Sequence, residues 1–103
     1  MIIEFDNVDI ENLVNHLYTG RYKKVKSSSK LISDLDKVMR YLYSANSIEV
    51  IRKIGSLHYE QLKGSPNSSI RVGYNTKYRL IFHEEENKIT LKLIELSEHY
   101  GDH

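Results

Sequence analysis

The sequence predicts an α+β fold in which two to three N-terminal helices pack on a C-terminal antiparallel β-sheet. As far as residue 54, apolar residues recur at the three- and four-residue spacing of amphipathic helices. From residue 69 onward they alternate with polar residues, as in half-buried strands, and turn-forming residues separate the alternating runs. Helices followed by such a meander are typical of the α+β class.

The chain is expected to begin with a short edge strand and a first helix. Residues 1–5 are β-prone. The helix is predicted over residues 9–18, capped by Asp6 or Asp9 and ended by Gly20. Its apolar stripe would consist of Ile10, Leu13, Val14 and Leu17.

A longer second helix is predicted from a serine N-cap within residues 27–29 to residue 44. A short third helix is expected over residues 47–54, because Asn46 and Ser47 look like a break with a new cap and Gly55 ends the pattern. The stripe of the second helix is Leu31, Leu35, Val38, Met39 and Leu42.

Three alternating runs predict the strands of the sheet. They cover residues 69–73, 78–83 and 89–94. Turns are expected at residues 64–67, 75–77 and 84–87, the last of them too acidic to be buried. Ile70 and Val72 should face one side of the sheet, and Arg71 the other.

Length and composition indicate one domain over residues 1–103. The chain has no cysteine, which excludes disulfides and thiolate chemistry. No apolar run approaches the length of a membrane span, and the N-terminus lacks the order of a signal peptide, so a cytoplasmic protein is expected.

Charge is distributed unevenly along the chain. Residues 21–79 contain 13 Lys/Arg and four Asp/Glu, a local excess of +9, whereas the remaining residues carry two Lys/Arg and ten Asp/Glu, a local −8. A basic block of this kind suits a polyanion such as RNA, because neutralised phosphates release counterions. A solvated lysine-rich helix surface explains the charge equally well.

The residues that can carry chemistry do not indicate a function one by one, but their combination does. A hairpin would bring Arg71 and Arg79 side by side, and guanidinium groups match phosphate oxygens. His58 precedes the sheet, and the last strand would deliver Glu98, His99 and Tyr100 to its end. These are the residue types of proton transfer. The set predicts metal-free RNA cleavage by a ribose 2′-OH, with no cofactor.

Other candidate sites are weaker. Lys63 is another possible phosphate contact, and Tyr74 is a possible base-stacking residue. His99 and His103 are four residues apart, but no recognised metal motif, Gly-rich phosphate loop or serine elbow is present. We therefore predict no metal site.

Together, several motifs resemble the HigB branch of the RelE/ParE toxin superfamily across nearly the whole chain. Their order and spacing carry the resemblance, most strongly in the second half. They are Ser47-Ile48-Glu49, Leu57-His58, Leu62-Lys63-Gly64, Ser69-Ile70-Arg71-Val72, Tyr78-Arg79-Leu80-Ile81-Phe82 and Glu98-His99-Tyr100.

The resemblance implies a RelE-like toxin fold and a ribosome-dependent mRNA endonuclease of a type II toxin–antitoxin system. The family's catalytic histidine maps onto His58, its lysine onto Lys63, and its strand arginines onto Arg71 and Arg79. The terminal cluster, Glu98-His99-Tyr100, has His and Tyr in swapped order, and two extra residues separate His58 from Leu62-Lys63-Gly64.

The resemblance also implies partners. They are the ribosome, mRNA and a HigA-like helix-turn-helix antitoxin, with no membrane contact and with DNA contacted only through the antitoxin complex. Two alternatives stay open. One is a ParE-like toxin that inhibits a topoisomerase by binding without catalysis, and the other is an inactive homologue that only binds an antitoxin.

Overall fold

The computed structural model confirms the α+β class. It describes residues 1–73, 78–86 and 88–96, without the side chains of residues 93–96. The elements in chain order are β1 (Ile2–Phe5), α1 (Val8–Val14), α2 (Ser29–Ser44), α3 (Ile48–Arg52), β2 (Glu60–Gln61), β3 (Asn67–Arg71), β4 (Tyr78–Glu85) and β5 (Lys88–Leu96). Two 3-10 turns, Gly20–Tyr22 and Gly55–Leu57, connect them.

The strands form one sheet in the order β1-β5-β4-β3-β2. The four C-terminal strands pair antiparallel. This was predicted for β3, β4 and β5, whereas the two-residue strand β2 was not predicted. β1 is an edge strand, also as predicted, but it pairs parallel with β5, so the complete sheet is mixed. The helices lie between β1 and β5 in sequence, and this long connection permits the parallel arrangement.

The core lies between the helices and one face of the sheet. α2 contributes its entire predicted stripe, which is buried in the same cluster as Ile70, Leu80, Phe82 and Leu91 of the strands. Its N-cap is Ser28, whose hydroxyl accepts a hydrogen bond from the Leu31 amide at 3.1 Å. The apolar stripe of α2 and the apolar residues of the strands therefore pack together in one core.

α1 is shorter than predicted. It ends at Val14 because the chain turns at His16, which has a φ of +68°. The His16 ring lies 2.8 Å from the Asp36 carboxylate on α2, which holds this turn in place. Leu17 consequently leaves the apolar stripe and is 57 % exposed. Gly20 begins the next 3-10 turn and does not end the helix.

α3 is also shorter than predicted, because the chain changes to a 3-10 turn at Gly55–Leu57 after Lys53 and Ile54. Ser47 occupies the N-cap position, as predicted. Leu57 is buried in the core and anchors the 3-10 turn, which fixes where the following residue, His58, emerges.

The prediction that residues 84–87 form an exposed turn is wrong for Glu84, which lies within β4. Its side chain is only 14 % exposed. The carboxylate accepts hydrogen bonds from the Tyr59 hydroxyl and, at 3.1 Å, from Arg52. Burial alone would raise the pKa of Glu84, but these two donors outweigh it and the pKa is lowered. Glu84 thereby ties α3 to the sheet.

Candidate functional site

The predicted site residues divide into two groups. His58, Lys63, Arg71 and Arg79 lie in the described part of the chain. Tyr74, Glu98, His99 and Tyr100 lie outside the described residues, as do residues 75–77 of a predicted turn. The geometry below therefore concerns the first group and the residues that surround it.

His58 is presented by an unusual backbone turn. It follows the 3-10 turn Gly55–Leu57 and adopts the left-handed conformation, with φ of +46° and ψ of 54°. A non-glycine residue visits this region rarely. Leu57 is buried, and the backbone changes to the left-handed conformation at the next residue, so His58 is exposed.

His58 and Arg71 line the same cleft, which has a volume of about 200 Å³. One wall is α2, another is the turn before His58, and the end of β3 closes it. We call this the basic cleft. Its polar lining residues include Lys30, Asp34, Lys37, Tyr41, His58 and Arg71. The structure thus brings together a general acid–base candidate and a phosphate-binding candidate.

The charge of the basic cleft is positive. Lys30, Lys37 and Arg71 supply three cations, and Asp34 supplies a carboxylate, which accepts a hydrogen bond from Lys30 at 2.6 Å. Lys37 Nζ lies 6.0 Å from the centre of the Tyr41 ring. Because these cations have one carboxylate among them, the cleft favours an anionic ligand.

Gly73 is the residue that allows α2 to approach the end of β3. Its φ is +102°, and a Cβ atom there would lie 2.2 Å from Asp34 Oδ2. An L-residue would therefore meet both backbone strain and a steric clash. The width of the basic cleft depends on this absence of a side chain.

The α2 wall was not identified from the sequence, although a signal was present. Lys30, Asp34, Lys37 and Tyr41 recur at intervals of four, three and four residues. This stripe runs one residue ahead of Leu31, Leu35, Val38 and Leu42, which are buried. Residues beside a core stripe lie at the border of the buried face, where they can line a cleft.

Arg71 and Arg79 are register partners on β3 and β4, as the predicted hairpin requires. Arg71 is half-buried and reaches the basic cleft. Arg79 is not among the residues that line the cleft, and it is only 4 % exposed. Its guanidinium group donates to the His58 carbonyl oxygen at 2.8 Å and to the Ser69 hydroxyl at 2.9 and 3.1 Å. Arg79 therefore meets the cleft only indirectly, through the backbone of His58.

Lys63 occupies the loop between β2 and β3 and is exposed. It is not among the residues that line the basic cleft. Among the described residues, no three His, Asp or Glu side chains group closely enough to hold a metal ion. The described site is thus built from cations, one carboxylate, one imidazole and one aromatic ring.

This arrangement is chemically suited to a phosphodiester. Guanidinium and ammonium groups bind phosphate oxygens and stabilise the charge that develops on them during displacement. The exposed imidazole of His58 beside them is a side chain of the type that carries proton transfer in catalysis. Tyr41 offers an aromatic face for a nucleobase.

Comparison with protein families and curated proteins identifies no match for this chain. No protein-family model matches the chain, and no curated protein matches it either. Within the described residues, no helix has both the length and the apolar character needed to cross a membrane.

Proposed function

We propose that this protein is a toxin ribonuclease that cleaves mRNA on the ribosome. The observation that carries the proposal is that His58 and Arg71 line one basic cleft together with Lys30, Lys37 and Tyr41. Four of these side chains suit a phosphodiester, and the fifth suits a base. The resemblance of the sequence to HigB toxins supports the same activity.

The proposed reaction is displacement at phosphorus by the neighbouring ribose 2′-OH. A base removes the proton from the 2′-OH, the new P–O bond forms, and the bond to the 5′ oxygen breaks. An acid returns a proton to that leaving oxygen. The products are a 2′,3′-cyclic phosphate and a free 5′-OH, so the step needs no co-reactant.

In this scheme His58 performs one of the two proton transfers. Arg71 and Lys37 hold the phosphate and stabilise its added charge. The second proton-transfer group is proposed to come from Glu98, His99 or Tyr100, since acid and base must flank an in-line displacement.

The small size of the cleft supports ribosome dependence. A cleft of about 200 Å³ offers few contacts along a flexible strand, so it does little to orient one by itself. The ribosome would supply that orientation, which is a proximity effect. The cytoplasm and a HigA-like antitoxin partner belong to the same proposal and rest on the resemblance.

The test is single-turnover cleavage of ribosome-bound mRNA by the wild type, Arg71→Ala and Arg40→Ala. Arg40 is a matched control because it is an exposed arginine on α2 that lines a different depression. We expect cleavage by the wild type and Arg40→Ala, with strong loss in Arg71→Ala. Absence of wild-type cleavage, together with inhibition of DNA supercoiling, would favour the topoisomerase-binding alternative.

A further inference from the structure

Arg79 is a buried residue that donates a hydrogen bond to His58 of the candidate site. One guanidinium nitrogen, Nη2, donates to the His58 carbonyl oxygen at 2.8 Å and to Ser69 Oγ at 2.9 Å. Nε donates to the same Ser69 oxygen at 3.1 Å, and the Glu60 carboxylate lies 3.7 Å from Nη2. Ser69 is fully buried, so the acceptor that aligns the Arg79 guanidinium group lies on a buried part of β3.

The carbonyl that Arg79 binds belongs to a backbone in a rarely populated conformation. His58 has a φ of +46°, and such a conformation persists only where surrounding contacts fix it. The contacts described at this residue are the 3-10 hydrogen bond from its amide to Gly55 and the bond from Arg79 to its carbonyl. Arg79 therefore restrains the turn that directs the imidazole toward the basic cleft.

We infer that Arg79 is a positioning residue, which acts on the reaction through the backbone of His58 and does not itself hold the scissile phosphate. The inference rests on the proposed function. It differs from the role expected from the sequence, in which Arg79 binds phosphate directly. The Arg79 side chain is only 4 % exposed, donates to Ser69 and to the His58 carbonyl, and is not among the residues that line the cleft.

A double-mutant cycle separates the two roles. Arg79→Lys keeps the charge but replaces the rigid fork with a single flexible ammonium group. We expect it to lower the maximal single-turnover rate about tenfold in the wild-type background, because the acid–base group would be partly misoriented. The substrate concentration that gives half of the maximal rate should not change. In the His58→Gln background the same substitution should change the rate less than twofold, because the group that Arg79 positions is already absent. Equal losses in both backgrounds would overturn the inference.

A second measurement does not depend on cleavage. In the inferred role, Arg79→Lys alters the backbone amide coupling and the ring resonances of His58 in NMR spectra, while core resonances such as those of Leu35 stay in place. Unchanged His58 resonances would overturn the inference even if the rate falls. If the wild type does not cleave, or if His58→Gln cleaves normally, the proposed function fails and the NMR measurement alone decides the positioning.

Folding of the variants needs its own control. Should Arg79→Lys fail to fold, Ser69→Ala replaces it in the same cycle and the same spectra. This variant removes the acceptor that aligns two of the guanidinium nitrogens while leaving Arg79 and the His58 carbonyl in place. The expected changes have the same direction and are smaller, and their absence from both rate and spectra would overturn the inference.

Discussion

Arg71 and Arg79 face each other across the register of β3 and β4, yet their side chains lie in different environments. Arg71 reaches the basic cleft, whereas Arg79 is buried and donates to Ser69 and to the His58 carbonyl. The two arginines are therefore expected to respond differently to the same substitution.

Arg71→Ala should lower the cleavage rate by about 100- to 1000-fold, the usual cost of losing one preorganised donor at a reacting phosphate. Its free energy of unfolding should change little. By contrast, Arg79→Ala leaves the buried Ser69 hydroxyl and the partly buried His58 carbonyl without this donor, and it should lower the free energy of unfolding by about 1–3 kcal/mol. Urea titrations of both variants check the difference, and coincident midpoints would contradict it.

His58→Gln should reduce single-turnover cleavage by about 10²- to 10⁴-fold and leave residual activity, since general acid–base groups contribute on that scale. His99→Ala combined with Tyr100→Phe should have an effect of similar size. The measurement is cleavage of ribosome-bound mRNA, with the product ends identified. If both variants cleave within about threefold of the wild type, these are not the proton-transfer groups.

Binding of a short single-stranded RNA should depend on salt through the lysines of the α2 wall. Each phosphate neutralised contributes about −0.7 to the slope of log binding constant against log salt. Lys37→Ala should therefore make the slope shallower by about that amount, whereas Arg40→Ala should leave it unchanged. Equal slopes in the wild type and Lys37→Ala would remove Lys37 from the RNA contact.

Gly73→Ala should destabilise the protein, because it combines a left-handed φ of +102° with a clash against Asp34. We expect a loss of about 1–3 kcal/mol from the backbone strain alone. Adding Asp34→Ala should recover part of the loss by removing the clash but not the strain. Thermal unfolding of the single and double variants measures this coupling, and strictly additive losses would argue against it.

Glu84 should make stability sensitive to acid. Because its pKa is lowered in the folded state from the ordinary value of 4.5, the folded protein favours the ionised carboxylate. The resulting stabilisation is present above pH 4.5 and is lost as the pH falls through the lower folded-state pKa. The stability advantage of the wild type over Glu84→Gln should shrink over that range, and an advantage independent of pH would contradict the prediction.

Periodicity predicted the regular elements but not the places where tertiary contacts override it. The stripe of α2 is a local pattern and was confirmed. Leu80 and Phe82 join the core as the alternation predicts, but Arg79 and Ile81 at the alternate positions are buried as well, so β4 is not a half-exposed strand. The early end of α1 depends on a contact between His16 and Asp36, which lie 20 residues apart. Glu84 is half-buried, and its carboxylate bonds to Tyr59 and Arg52, which lie far from it in sequence.

The candidate site shows the same limit. The pairing of Arg71 with Arg79 follows from a hairpin and was predicted. The burial of Arg79 depends on Ser69 and on the backbone of His58, and no sequence spacing encodes that turn. The polar stripe of Lys30, Asp34, Lys37 and Tyr41 was readable, but only once α2 is placed against the end of β3 does it become a wall.

The parallel pairing of β1 with β5 also determines when the protein can finish folding. Phe5 pairs with Leu91, so β1 cannot complete its pairing until β5 has been made. β4 and β5, which join the two sides of the sheet, are themselves made late. Contacts this distant in sequence close slowly. A nascent chain therefore has its helices before it has a sheet to support the basic cleft, and the site is completed only after β5 has been made.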